Sequence, residues 1–471
     1  MICQKKTSEV NELPPRLLER EEIEILDPKC KPIQHSVTRY DIERDVNDLL
    51  KRGITTTFAG GFFFIPYLLQ LDAHTLFQSL VPPKKAGIPN DRVALGLVFE
   101  SLFGLKEGIR SINPISQKDF GLLAGLPFLP SPSTQYRFLQ AIPYNSSLTF
   151  QVALAKKLVQ LGHVVPGSPI NIDGHNIKTY SRKAMKKSYI TQEGRYGKAI
   201  RTFYTQDQLS KKPLITMAAY SGTAVSQITR CITDLTRDVL DRSFLLVADK
   251  EWYCGQLIQE LHQENGVSIL TPVKQSKKRL VEFEAVPLDQ YDTTIFGNIA
   301  TLYTTIKNCD QPLRLFLKKG LDGKYFGLIS PDLSLTGSVA MPTYTKRWRI
   351  EDFFLENEFL GVNRLPSLNL NSIQAMLSLR LLAYHVLDNF RHDLGPDFRN
   401  KTPKTIYRDF INGVQGRIQL RGNTIEVRIY GFQHDAVVSS LMSDLDDQLK
   451  CADVEPRIPW LRNRTIQFKF S

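Results

Sequence analysis

Cysteine is sparse in this chain. The six residues, Cys3, Cys30, Cys231, Cys254, Cys309 and Cys451, are scattered, with no CxxC pair and no Cys/His spacing of a zinc site. That argues against a zinc finger and against a disulfide-stapled secreted domain, and reads as reduced thiols in a reducing compartment. Long apolar runs are also missing. The most apolar stretch, Phe58 to Leu71, is broken by Gly60, Gly61, Pro66 and Gln70 and is too short to span a bilayer. The opening MICQKKTSEV has no apolar signal region. The expected location is therefore cytoplasmic, with no membrane partner. Internal repeats and low-complexity segments are absent as well.

Acidic residues are in deficit: 60 Lys and Arg face 48 Asp and Glu, a net charge of +12. An excess of this size points to a polyanionic partner, nucleic acid before a membrane surface, and is weighed against a basic surface kept for solubility. The apolar fraction of 42% and charged fraction of 23% are those of a soluble globular protein. With 471 residues, about two to four domains are expected.

The pattern changes along the chain. Residues 1–40 are polar and proline-spotted, and read as a flexible arm. Residues 41–165 read as helical and as a DNA-binding region. Within them DRVALGLVFESLFGL has an N-cap candidate in Asp91, KDFGLLAGL reads as a short helix, and SPSTQYRFLQAI has one in Ser131 or Ser133. The last helix, with Gln135, Tyr136 and Arg137, fits either a groove-reading helix or a bundle segment. Residues 166–270 switch to short β-like runs, SPINID, IRTFYT, PLITMAAY, FLLVAD and VSILTPV, with helices between the later ones. Such an order describes a mixed sheet with flanking helices. Residues 271–342 read as a β-rich insertion without helices, with Asp322-Gly323 as a turn. Helices return at 343–395, and 396–471 reads as an α+β tail.

Three acidic residues stand out. Asp173 and Asp249 each close an apolar, strand-like run, in PINID and FLLVAD, and Glu351 lies in the helical segment YTKRWRIEDFF. Carboxylates at strand ends and on a facing helix are hard oxygen donors of the kind that hold a pair of Mg²⁺ ions. Such a pair cuts and joins phosphodiesters. Taken singly, each Asp reads as a loop or cap residue before a ligand; together, each after its own apolar run, they carry more weight. Tyr344, Arg347, Glu351 and Glu358 fall along one helical face. An Arg347–Glu351 ion pair is the plain alternative for two of them. Trp348 reads as a core residue before a stacking one. His175, close to Asp173, reads as a satisfied structural histidine, because Mg²⁺ prefers oxygen.

The run from Lys178 to Arg201 is strongly basic, with Lys178, Arg182, Lys183, Lys186 and Lys187 and interleaved Tyr180, Tyr189 and Tyr196. Its place after Asp173 favours phosphate contact over a solvated loop.

At these residues the chain resembles the IS4-type DDE transposases, whose signature is Y-x2-R-x3-E-x6-K. Tyr344, Arg347 and Glu351 stand at the family spacing, and Glu358 replaces the final Lys. The strand-terminal Asp173 and Asp249 and the β insertion before Glu351 match the same pattern. The resemblance covers about residues 90–395. It implies an α/β fold, with an RNase H-like mixed sheet and flanking helices interrupted by the β insertion. It also implies Asp173, Asp249 and Glu351 as catalytic residues and ligands of two Mg²⁺ ions, Mn²⁺ substituting. Tyr344 and Arg347 would contact phosphates near the element end. The implied activity is cleavage at element ends followed by 3′-OH strand transfer into target DNA, with double-stranded DNA as partner and a homodimer in the DNA complex. Two other readings share the core. One is an inactive, transposase-derived DNA-binding protein, and the other is an RNase H-like nuclease in repair or defence.

Overall fold

The computed structural model describes residues 38–81, 84, 87–104, 119–179, 181, 185–190 and 194–471. The arm expected at 1–40 falls outside them up to Val37, as do Arg182 and Lys183. Helix α1 (Arg39–Arg52) opens on a reciprocal cap: Thr38 Oγ1 accepts from the Asp41 amide at 3.1 Å, and the Asp41 carboxylate accepts from the Thr38 amide at 2.9 Å. Ile42, Val46 and Leu50, one turn apart, form its buried stripe. Gly53, at φ +75°, turns the chain into strand β1 (Ile54–Thr56). This strand lies inside a stretch expected to be helical.

The apolar stretch from Ala59 folds as a 3₁₀ turn to Phe64 and helix α2 (Ile65–Gln70), buried rather than membrane-facing. Among the described residues no helix is long and apolar enough to cross a membrane. Helices α3 (Ala73–Leu80), α4 (Asn90–Leu102), α5 (Pro132–Ala141) and α6 (Tyr144–Gln160) follow. Asp91 does not cap α4, which starts one residue earlier, behind Pro89. Ser131 does cap α5, accepting from the Thr134 amide at 3.3 Å. The KDFGLLAGL helix is a 3₁₀ turn, Asp119–Ala124.

The central sheet is built from β2 (Ile170–Lys178), β3 (Lys187–Ile190), β4 (Arg195–Asp207), β5 (Pro213–Tyr220), helix α7 (Val225–Leu240), β6 (Leu245–Val247), helix α8 (Gly255–Asn265) and β7 (Ser268–Pro272). Strand β4 pairs antiparallel with both β2 and β5, while β2–β6 and β6–β7 are parallel. The spatial order β5-β4-β2-β6-β7 is the expected RNase H-like mixed sheet, with α6 and α7 packed on it.

The insertion is not all-β. Helix α9 (Lys277–Glu284) precedes the meander β8 (Tyr291–Thr294), β9 (Gly297–Ile306), β10 (Cys309–Lys319) and β11 (Tyr325–Ser330). The charged sequence KKRLVEFE buries only Phe283, so no apolar period betrays this helix. Gly323, at φ +74°, makes the β10–β11 turn beside Asp322. Strand β11 pairs with β7, Ile329 facing Thr271, so the insertion prolongs the core sheet.

One continuous helix from Tyr344 to Phe359 is not what forms. Helix α10 (Gly337–Thr345), containing Pro342, gives way to a 3₁₀ turn at Lys346–Trp348 and then helix α11 (Arg349–Phe359). The break turns Trp348 outward to 60% exposure, against the expected core position. Helix α12 (Leu370–Asp393), capped by Asn369, is buried nearly all round and packs on α4, α5, α6 and β5. Gln135 of α5 is buried against this bundle and donates to Glu100 Oε1 at 2.6 Å. A helix that spends Gln135 on the core cannot present it to a DNA groove, whereas Arg137 of the same helix is exposed.

Short helices α13 (Pro396–Arg399) and α14 (Pro403–Ile406) lead to the tail: β12 (Gly416–Arg421), β13 (Thr424–Ile429), helix α15 (Asp435–Cys451) and β14 (Thr465–Phe470). These strands form a second sheet, β1-β12-β13-β14, in which β1 comes from the opposite end of the chain. Phe63 packs against Phe468 at 5.4 Å and against Phe390 at 6.2 Å, joining this sheet to α12.

Candidate active site

Asp173 does not close its strand. Strand β2 runs five residues further, to Lys178, and Asp173 faces Tyr204 of β4. Its other side is open, because the three-residue β6 pairs only with Ile170 and Asn171. Asp173 therefore lies where β2 outruns β6. Asp249 follows β6 after Ala248, at the same level of the sheet. Its backbone is pinned, since its carbonyl accepts from Thr271 Oγ1 at 2.8 Å and from the Trp252 amide at 3.0 Å. Trp252 is itself buried and donates to Thr229 at 2.8 Å. The Asp249 side chain makes no cap bond to the turn that follows. Glu351, in the first turn of α11, is more open than Asp173, its side chain 43% exposed against 17%.

Arg347 links them. Its guanidinium is buried, donates to Asp173 Oδ2 at 2.6 Å and lies 3.7 Å from Glu351 Oε1. The 3₁₀ turn makes this possible by aiming Arg347 inward while Trp348 points out. The i, i+4 pair foreseen between Arg347 and Glu351 is present but long, and the tighter bond goes to Asp173.

Burial pushes the Asp173 carboxyl up to about 6, with Asp249 and Glu351 adding to the rise and Arg347 and the Gly174 amide opposing it. Burial also raises Glu351, helped by Asp249 and Asp352 and opposed by Arg347. Asp173 thus feels both other acids, and Glu351 feels Asp249. Crowded anionic oxygens are the donor set a hard divalent cation takes. Among the described residues no group of three His, Cys, Asp or Glu is drawn together as a metal cage, and the charge standing between Asp173 and Glu351 is that of Arg347.

A stability consequence follows. A carboxyl raised from 3.8 to about 6 favours the protonated form in the folded protein. Its ionisation therefore destabilises the fold, by an amount that builds up as pH rises from about 4 to 6 and stays constant above. Asp173→Asn removes that cost. In metal-free buffer at pH 7.5 the variant is expected to be more stable by about 2–3 kcal/mol. The gain should fade as pH falls towards 4. Thermal unfolding across this range checks it, and a variant less stable than wild type at pH 7.5 contradicts it.

Tyr344 is half-buried, 5.6 Å from Phe326 of the insertion and over the Arg347 guanidinium at 5.8 Å. His175 pairs with Asn363 Oδ1 at 3.0 Å and stacks on Phe354 at 5.0 Å, the satisfied histidine expected. Asn363 Nδ2 in turn donates to Glu358 Oε1 at 3.2 Å. The residue standing where the resemblance places Lys therefore faces Asn363 and, through it, His175. Lys178 ends β2, and Lys186 and Lys187 are exposed at the start of β3. Strands β3 and β4 pair here as a hairpin beyond the core sheet, carrying the exposed rings of Tyr189 and Tyr196, 5.4 Å apart.

Sequence reasoning missed a buried network beneath the site. Glu356 of α11 accepts from Arg391 at 2.7 Å. Arg391 also holds Asp388, and Asp388 holds Lys212 from the β4–β5 turn. The readable signal was Asp388 and Arg391, opposite charges one turn apart on a helix buried nearly all round.

Residues 166–386, which contain all three carboxylates and Arg347, match the family model of the transposase DDE domain. A comparison with curated proteins returns no match. Among solved structures, the chain is similar to a piggyBac transposase in a cryo-EM synaptic complex with hairpin DNA. The identity is 13%, the TM-score 0.43, and the alignment covers 83% of this chain and 85% of that one.

Proposed function

We propose that this protein is a DDE transposase of the IS4 type, which cleaves DNA at the ends of its element and joins the freed 3′-OH to target DNA. The observation that carries the reading is that Asp173 in mid-β2, Asp249 just after β6, and Glu351 on the helix that follows Arg347, the partner of Asp173, all fall inside the segment that matches the transposase DDE domain. Asp173, Asp249 and Glu351 would hold Mg²⁺, or Mn²⁺ in its place. When bound, two such ions activate water and neutralise the charge that develops on the phosphodiester.

The chain's own residues have separable tasks. Asp173 is fixed by β2 and β4, Asp249 by its pinned backbone, and Glu351 by α11, so each would be presented to a metal from an ordered element. Arg347 neutralises the buried Asp173 and holds a guanidinium where a phosphate would approach, with Tyr344 beside it. Lys178, Lys186 and Lys187, together with Arg182 and Lys183 outside the described residues, would contact the DNA backbone. A homodimer on paired ends belongs to the same proposal. A second reading, a DNA-binding protein that no longer cuts, is favoured by one observation: the Arg347 guanidinium already satisfies Asp173.

The deciding experiment is cleavage of a DNA fragment carrying this gene's own flanks, with and without Mg²⁺. Metal-dependent cuts at the flank ends support transposition, and duplex binding without cleavage favours the second reading. The hairpin has its own test. Lys186→Gln with Lys187→Gln is expected to lower the slope of log affinity against log salt by about two, since each phosphate contact contributes about 0.9. An unchanged slope returns these lysines to a solvated surface.

A further inference from the structure

The tail sheet has two unlike faces. Ile418, Ile425, Val427 and Ile429 point inward and are fully buried. The opposite face carries Arg417, Gln419 and Arg421 of β12, Glu426 and Arg428 of β13, and Gln467 and Lys469 of β14, aligned in register across three strands. Arg417, Arg421 and Lys469 are exposed, as are Lys51 and Arg52, which lead into the neighbouring β1. The Arg417 guanidinium lies against Gly53, directly after Arg52, so these cations form one surface.

Two details set this face apart from an ordinary solvated one. Arg417 sits directly opposite Arg428 in the antiparallel ladder. Like charges in that position destabilise a sheet. The face also has one acid, Glu426, and its charge is spent internally: it accepts from Lys469, from Gln419 at 2.9 Å and from Arg428 at 3.0 Å, which holds its carboxyl down at about 2. Arg417 and Arg421 have no acidic partner within ion-pair distance among the described residues. A flat row of cations on extended strands, kept despite mutual repulsion, complements a surface of regularly spaced negative charge.

We infer that this face of the tail sheet, from Arg52 and Arg417 to Arg421 and Lys469, is a second contact surface for the phosphate backbone of double-stranded DNA, separate from the carboxylate site and the β3–β4 hairpin. It rests on the proposed function for the identity of the polyanion. The contacts go to phosphates, so they add affinity without reading sequence.

The test is anisotropy titration of a labelled DNA duplex of arbitrary sequence, several helical turns long, without divalent metal. Because metal is absent, the result does not depend on whether Asp173, Asp249 and Glu351 cleave. Arg417→Gln with Arg421→Gln removes two cations that hold nothing inside the fold, and unchanged thermal unfolding confirms that the sheet is intact. The expected result is affinity weakened by about tenfold and a salt slope reduced by about two. Glu426→Gln, which frees Lys469 and Arg428 of their counter-charge, is expected to tighten binding several-fold. Wild-type affinity and slope in the double variant overturn the inference. So does a variant that binds duplex normally but loses binding to phosphatidylserine vesicles, which assigns the face to a lipid surface.

Discussion

Replacing Asp173, Asp249 or Glu351 with alanine is expected to lower DNA cleavage by at least about a thousandfold while leaving duplex affinity within about twofold. The first half rests on charge. A carboxylate that positions a divalent ion contributes several kcal/mol to the transition state, and each 1.4 kcal/mol is a factor of about ten. The second half rests on geometry. The cations assigned to DNA lie on the hairpin at Lys186 and Lys187 and on the tail sheet, and removing a negative charge beside a phosphate does not weaken their grip. The three variants should also differ from one another. Asp173→Ala strips the buried Arg347 of its 2.6 Å partner, so it should disturb the site most, whereas the half-exposed Glu351 can be lost with little effect on stability. Cleavage and anisotropy run on the same preparations decide the matter. Wild-type cleavage in any one variant removes that residue from the site, and a parallel loss of binding in all three means that they support the fold instead.

Breaking the buried network under α11 should cost more stability than any surface change. Asp388 is held below the usual carboxylate range, burial opposing and Lys212 and Arg391 prevailing. A depressed carboxylate contributes stability that is present above about pH 4 and is lost only as pH falls through its lowered value. Asp388→Ala leaves Lys212 and Arg391 without that carboxylate in the interior, a change that typically costs about 3–5 kcal/mol. The expected outcome is a marked fall in melting temperature at pH 7 and a shift of acid unfolding to higher pH. Arg391→Met should go further in function than its stability loss implies. It unties Glu356, five residues along α11 from Glu351, and so loosens the helix that presents the carboxylate. A melting temperature within a degree or so of wild type in Asp388→Ala would show the network to be dispensable.

Much of the core was legible because its strands are short, apolar and separated by amphipathic helices. The five runs from SPINID to VSILTPV each became a strand, in an order that local pattern and right-handed connection largely determine. What escaped has physical reasons. The end of β2 was misplaced because Gly174, His175 and Asn176 look like a turn, yet β4 pairs with them throughout. Helix α9 buries one side chain and so shows no period. The 3₁₀ turn at Lys346–Trp348 cannot be seen in a residue count that assumes 3.6 per turn, and it exchanges the fates of Arg347 and Trp348, one buried and one exposed. Gln135 was ambiguous because a buried amide and a base-reading amide have the same sequence. Only its partner, Glu100, distinguishes them.

Strand β1 has a consequence for how the chain is made. Its ladder partner, β12, begins at Gly416, and the sheet that holds both is completed by β14. During synthesis, residues 54–56 leave the ribosome long before their neighbours exist. Phe63, which packs on Phe468, waits as long. Strand β1 and Phe63 therefore cannot reach their final packing until the tail strands have emerged. A product terminated before β14 would lack the ring contacts that Phe63 makes with Phe468 and Phe470, while its contact with Phe390 would remain available.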